Sequence, residues 1–126
     1  MATPGFRALR AAYLADAVVV TPSPREHHLL ANKQRLTLFS SADALRSFGA
    51  TDAEVALLMT AIPETRFLDA MGVEDAWRTR REWVFKPAAA YASRAVYRGD
   101  KISRRKLEEI VQLGGFVAQR RVEPGE

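Results

Sequence analysis

Trp83-Val84-Phe85-Lys86-Pro87-Ala88-Ala89-Ala90-Tyr91-Ala92-Ser93-Arg94-Ala95-Val96 is the stretch whose reading decides the fold. Glu82 to Lys86 and Ala95 to Arg98 each predict a strand, and a loop of small side chains joins them. Lys86 then closes an apolar strand beside backbone that little side-chain bulk would cover. A fixed positive charge next to exposed N–H donors is what a polyphosphate needs. Two plainer readings stand beside that one. Lys-Pro is an ordinary solvated strand end, and three consecutive alanines also favour helix.

Downstream, Gly99-Asp100 predicts a turn, and Ser103 caps a helix running through Leu107, Ile110, Val111 and Leu113 to Gly114-Gly115. Phe116 to Val122 is the last expected strand, which makes the order after residue 80 β-β-α-β. Upstream the pattern is mainly helical. Phe6, Leu9, Tyr13 and Leu14 have near-helical spacing, and Ala17 to Val20 reads as a short buried strand. Ser23-Pro24 starts one helix or two consecutive ones as far as Phe39, and Ser41 to Phe48 predicts another, closed by Gly49. Thr51-Asp52-Ala53-Glu54 is a capping box ahead of a helix that Pro63 stops. Thr65 to Leu68 reads as a short strand or extended segment, and Asp69 to Arg80 as turn and short helix. The expected fold class is therefore α+β, with a helical segment over 1–80 and a small β-β-α-β lobe over 81–126.

Composition narrows the classes of function. A chain of 126 residues, 48% hydrophobic, suits one compact domain or one piece of a larger one and is too short for a multidomain enzyme. It contains no Cys, which removes disulfides, thiolate zinc sites and thiol nucleophiles. No apolar run approaches the roughly 20 residues of a membrane span, and the N-terminus lacks a signal-peptide pattern. The expected location is cytoplasmic, with no membrane partner. A net charge of +4, from 19 Lys+Arg against 15 Asp+Glu, suits anionic ligands in general without choosing among them.

His27 and His28 are the only histidines, and as neighbours on a helix they point about 100° apart, so they do not form an i, i+4 metal pair. No metal site is expected from them. Arg78, Arg80 and Arg81 beside Trp77 and Trp83, with Arg104-Arg105-Lys106 and Arg120-Arg121, interleave cations and aromatics in a way that single-stranded nucleic acid can use. Packing tryptophans with solvated or paired arginines are the plainer explanation, and no nucleic-acid-binding motif accompanies the clusters. The chain also lacks a phosphate-loop G-x-x-x-x-G-K-S/T, a dinucleotide G-x-G-x-x-G and a serine-nucleophile elbow.

Six fragments follow one another in a recognisable order: Val20-Thr21-Pro22, Asn32-Lys33, Pro63-Glu64-Thr65-Arg66, Val84-Phe85-Lys86-Pro87, the Ala88 to Ala95 loop, and Gln119-Arg120-Arg121-Val122. In that order the chain from Val18 onward resembles the ATP-grasp superfamily, especially its glutathione-synthetase-like and circularly permuted members. The resemblance implies that residues 81–126 are an incomplete first lobe of that fold, with 1–80 as the segment before it. It also implies an ATP cleft used to activate a carboxylate as an acyl phosphate for attack by an amine. Lys33 and Lys86 would contact the ATP phosphates, and Gln119 through Val122 would lie at the hinge beside adenine.

Two departures bear on that chemistry. Ala92-Ser93 stands where the family usually carries paired glycines, with alanine again where glycine is common. Methyl groups there keep phosphate farther from the backbone, although Ser93 offers a hydroxyl and Arg94 another cation. The sequence also stops before the family's magnesium-binding lobe, so magnesium is expected only where that lobe is supplied, and this chain alone is expected to turn nothing over. The resemblance assigns no catalytic residue here. The expected function is the ATP-binding portion of a ligase-like protein, with ATP as cofactor and the missing lobe or a second copy of the chain as partner. The rivals are a noncatalytic interaction or self-association module and, more weakly, a basic nucleic-acid-binding domain.

Overall fold

The structure is a computed structural model and describes residues 4–89 and 95–122. The chain divides into two compact units, Met1–Ala31 and Asn32–Glu126.

In the first unit a single 3-10 turn, Pro4–Phe6, leads into α1, Arg7–Leu14, and α2 follows at Pro24–Leu30. Pro24 opens α2 where an N–H would be an orphan anyway, and the Ser23 hydroxyl faces the Glu26 N–H at a long 3.5 Å. The expected strand at Ala17 to Val20 is not formed. Its residues are in no helix or strand, and Val19 is 95% exposed. A four-residue apolar run gains little as a strand without a ladder partner, and no strand lies among the unit's described residues. Asp16, at φ 52, turns the chain just before the run.

The second unit begins with a 3-10 helix, Lys33–Ser40, in which Asn32 caps by accepting from the Gln34 N–H at 2.9 Å. Two helices therefore follow Ser23 in succession, the first an α-helix and the second 3-10. Next come α3, Ala42–Ser47, and α4, Asp52–Ala61. The Thr51 capping box is complete: the Thr51 hydroxyl accepts from Glu54 N–H, and the Glu54 carboxylate accepts from Thr51 N–H at 2.8 Å. The Thr51 N–H, and second its hydroxyl, donating to the Glu54 carboxylate hold that carboxyl below its ordinary range.

Four strands make one antiparallel sheet in the order β1-β4-β2-β3: β1 is Thr65–Phe67, β2 Trp83–Pro87, β3 Tyr97–Arg98 and β4 Phe116–Arg120. The α+β class and the strand, strand, helix, strand order of the later residues are as expected, and β1, from before residue 80, is paired into the same sheet. The last strand ends at Arg120 rather than Val122. Beyond it the Arg121 N–H turns to the Glu82 carbonyl at 2.8 Å. Leu68–Arg78, α5, is two short helical pieces joined at Gly72, whose φ of 72 and ψ of 162 are non-helical, in keeping with the turn and short helix expected there. Helix α6, Arg104–Leu113, is capped by Ser103 and stops at Gly114.

Strand alternation sorts the sheet into two faces. On one, Trp83, Phe85, Phe116 and Ala118 pack with Leu68 and Ala76 of α5, with Ile102, and with Leu107 and Ile110 of α6. The other face carries Val84 and Lys86 of β2, Val117 and Gln119 of β4, and Thr65 of β1, as the register requires. Hydrogen bonds from Lys33 N–H to the Ala88 carbonyl, just past β2, and from Thr65 N–H to Ser40 Oγ tie the two ends of the 3-10 helix across these strands. Val117 is accordingly fully buried although it lies outside the opposite core.

Two local features hold the β3 side. Gly99 N–H donates to the Trp83 carbonyl at 2.9 Å, and a methyl group at Gly99 would sit 1.6 Å from the Arg80 carbonyl oxygen. Asp100 accepts from Arg98 Nε at 3.1 Å and Nη2 at 2.7 Å, with Arg121 Nη1 at 3.5 Å. These guanidinium groups, Arg98 foremost, hold the Asp100 carboxyl below its usual range.

Candidate functional site

Lys86 is the fourth residue of β2, so its side chain leaves the sheet on the face opposite Phe85. The position is half-buried rather than in open solvent. Its Nζ donates to Gln119 Oε1 on the adjacent strand at 2.6 Å. Gln119 Nε2 donates in turn to Thr65 Oγ1 at 3.2 Å, and Thr65 Oγ1 donates to the Pro63 carbonyl at 3.1 Å. Burial first, and the positive charge of Lys33 second, pull Lys86 below the ordinary lysine range. Among the described residues Lys86 makes no ion pair with a carboxylate.

Lys33 arrives from the other end of the sequence. The Asn32 cap starts its 3-10 helix, and the Lys33 N–H to Ala88 carbonyl bond of 3.0 Å anchors that helix to the root of the small-residue loop. Two lysines distant in sequence are thereby brought close enough for one charge to act on the other. Chemically the arrangement is a cationic spot backed by a neutral amide. An incoming anion would meet lysine charge that the protein has not already cancelled at Lys86.

The six residues expected at the site fare differently. Lys33, Lys86 and Gln119 are brought together. Val122 lies beyond the end of β4 and is 69% exposed. Ser93 and Arg94, with most of the loop, lie outside the described residues. Thr65, expected in a short strand or extended segment and quoted in the Pro63 to Arg66 fragment but not as a site residue, proves to be the buried polar anchor of the group, 1% exposed. Threonine is common in strands for packing reasons, so its identity alone carried no signal.

Of the aromatic and basic clusters, Trp83 is buried and Trp77 half-buried, while Arg78, Arg81, Arg104, Arg105 and Arg120 are exposed. Trp83, 2% exposed, has Arg66 at 5.2 Å and Arg120 at 5.3 Å over its ring, and its indole N–H donates to Thr79 Oγ1 at 3.1 Å. Arg66 and Arg120 pair with Glu64 and Glu82. Arg80 stacks over Trp77 at 3.9 Å, and Arg104 approaches the same ring at 6.0 Å. Neither face of Trp83 is open for a base to stack on.

Among the described residues no group of three His, Cys, Asp or Glu side chains could hold a metal ion, and no helix is long and apolar enough to cross a membrane. Compared with protein-family models, curated proteins and solved structures, the chain matches none.

Proposed function

We propose that the chain is the ATP-binding portion of an ATP-grasp ligase-like protein, with Lys86 and Lys33 as contacts to the nucleotide phosphates. One observation carries the reading: Lys86 leaves the sheet beside an amide rather than a carboxylate, and Lys33, from a distant segment and tied by its N–H to the Ala88 carbonyl just past the strand, is close enough for its charge to act on Lys86. Partial burial and, second, the charge of Lys33 disfavour the charged form of Lys86, and a bound polyanion would favour it again. The order of sequence fragments shared with the ATP-grasp superfamily supports ATP as that polyanion. The carboxylate and amine substrates would be selected elsewhere in such a ligase, and magnesium would come with ligands from outside this group of residues. Phosphoryl chemistry of this kind depends on positioning and charge neutralisation, which is the work two lysines would do.

Isothermal calorimetry with Mg-ATP tests the proposal. Lys86→Ala should weaken binding by about tenfold to a hundredfold, the worth of a charged hydrogen bond, and Lys33→Ala by less. Equal responses from the parent protein and Lys86→Ala would sink it.

A noncatalytic self-association module is favoured by a different observation. Helix α4 is apolar around most of its circumference, yet only Val55 of it is buried, and Phe48 and Leu57 are 74% and 67% exposed beside a shared groove. Light scattering across concentration separates the two readings, since a strictly monomeric chain removes the second.

A further inference from the structure

We propose that Thr65, on the edge strand β1, is a positioning residue that sets the direction in which Lys86 presents its ammonium group to a phosphate-bearing ligand. Each link in the path forces the next. A carbonyl only accepts, so the Thr65 hydroxyl spends its single proton on Pro63, at 3.1 Å. Its oxygen is left as an acceptor, and the Gln119 amide turns its Nε2 toward that oxygen at 3.2 Å. Gln119 Oε1 therefore points the other way, to Lys86 Nζ at 2.6 Å. An ammonium group only donates, so a Gln119 amide turned round would set N–H against N–H and leave Lys86 unheld.

Thr65 has little freedom to do otherwise. It is 1% exposed, its N–H is taken by Ser40 Oγ at 2.7 Å, and it sits directly opposite Gln119 in the β1–β4 register. With one ammonium N–H engaged by Gln119, Lys86 keeps its others for a ligand; among the described residues no other acceptor binds it. The path thus runs from the end of α4, through an edge strand and a central strand, to the charge that would meet phosphate. Lys33 is the other charged group acting on Lys86, and Thr65 does not touch its anchoring bond to Ala88.

The phosphate half of this inference rests on the function proposed above, and the experiment separates the two. Thr65→Val removes the hydroxyl at nearly constant shape, and Thr65→Ser restores it. Two readouts are needed: NMR titration of the Lys86 side chain in the folded protein, and calorimetry with inorganic pyrophosphate and with Mg-ATP. Thr65→Ser should match the parent in both. In Thr65→Val, Lys86 should titrate at lower pH, because Gln119 no longer favours the charged form, and affinity for both probes should fall about fivefold, the worth of one hydrogen bond. A Thr65→Val protein that matches Thr65→Ser in its Lys86 titration overturns the positioning role. A parent protein that binds neither probe overturns the phosphate reading alone, and the Lys86 titration still decides the role of Thr65. Should Thr65→Val fail to fold, the unmutated chain decides: nuclear Overhauser contacts from the Gln119 NH2 protons to the Thr65 methyl support the inference, and contacts from them to the Lys86 methylenes overturn it.

Discussion

The two faces of β2 are built to opposite specifications from alternate residues of one five-residue strand. Trp83 and Phe85 enter a dry core against α5 and α6, where the gain is apolar area removed from water. Val84 and Lys86 enter a face where a lysine, an amide and a hydroxyl hold one another in a line. Polar burial on that face is tolerable because every link is satisfied; among the described residues no buried side-chain N or O lacks a hydrogen-bond partner. The difference teaches how one strand serves two surroundings: its apolar side chains fill the core against the helices, and on the other face a half-buried lysine is held by an amide over the buried Val117 and Thr65.

The largest expected effect breaks both faces together. Gly99→Ala drives a methyl into the Arg80 carbonyl, 1.6 Å away, and dislodges β3 from β2, so a loss of about 4 kcal/mol or more and a broad or absent unfolding transition are expected by circular dichroism. A cooperative transition at the parent's temperature would show that β3 is not seated as described. Next comes the pair that separates the faces. Phe85→Ala should cost about 3–5 kcal/mol in urea unfolding, whereas Lys86→Met should change stability by less than about 1 kcal/mol while weakening the proposed Mg-ATP binding by about tenfold to a hundredfold. Equal losses would erase the contrast. A smaller change sharpens it: Ala95 lies at φ 59, where a Cβ is strained, and Ala95→Gly should therefore stabilise the protein by about 1 kcal/mol in the same assay. A loss of stability would show that the turn entering β3 does not need that conformation.

How far the sequence reached depended on whether a residue's partners were local. The Thr51–Glu54 capping box, the Ser103 cap and the Gly114 stop each involve groups within a turn, so sequence spacing was enough to place them. The apolar run Trp83 to Lys86 likewise reads as a strand, although with Trp83, Val84 and Phe85 all apolar it does not tell which side chains share a face. It did not tell that β1 lies beside β4, nor that Thr65 stands opposite Gln119, because those pairings span 54 positions and depend on how the sheet closes. Lys86 stands out by its strand and loop, and Lys33 and Gln119 only through the resemblance; the fold hydrogen-bonds Gln119 to Lys86 and carries Lys33 near enough to act on its charge, and no local pattern joins a 3-10 helix to a strand so far along the chain. The apolar run at Ala17 to Val20 failed for the converse reason, since β-branched residues specify a strand only where a partner edge exists.

The smallest expected effect tests whether the polar face carries a cost that the dry face does not. Lys86 is held below the ordinary lysine value of 10.5 by burial and by Lys33. Below its folded pKa both folded and unfolded chains carry the proton, and the cost of a partly buried charge is present in full. Between that pKa and 10.5 the unfolded chain binds more protons than the folded one, so this group's contribution to stability rises with pH and levels off above 10.5. Other lysines and tyrosines titrate in the same alkaline range, so the quantity to measure is the difference between the parent and Lys86→Met, by urea unfolding from neutral to alkaline pH. That difference should shift in the parent's favour as pH rises. Saturating Mg-ATP should flatten it, because a bound polyanion restores the charged lysine in the folded state. A flat difference without ligand would mean that Lys86 is as well solvated as any surface lysine, and the cost assigned to the polar face would vanish with it.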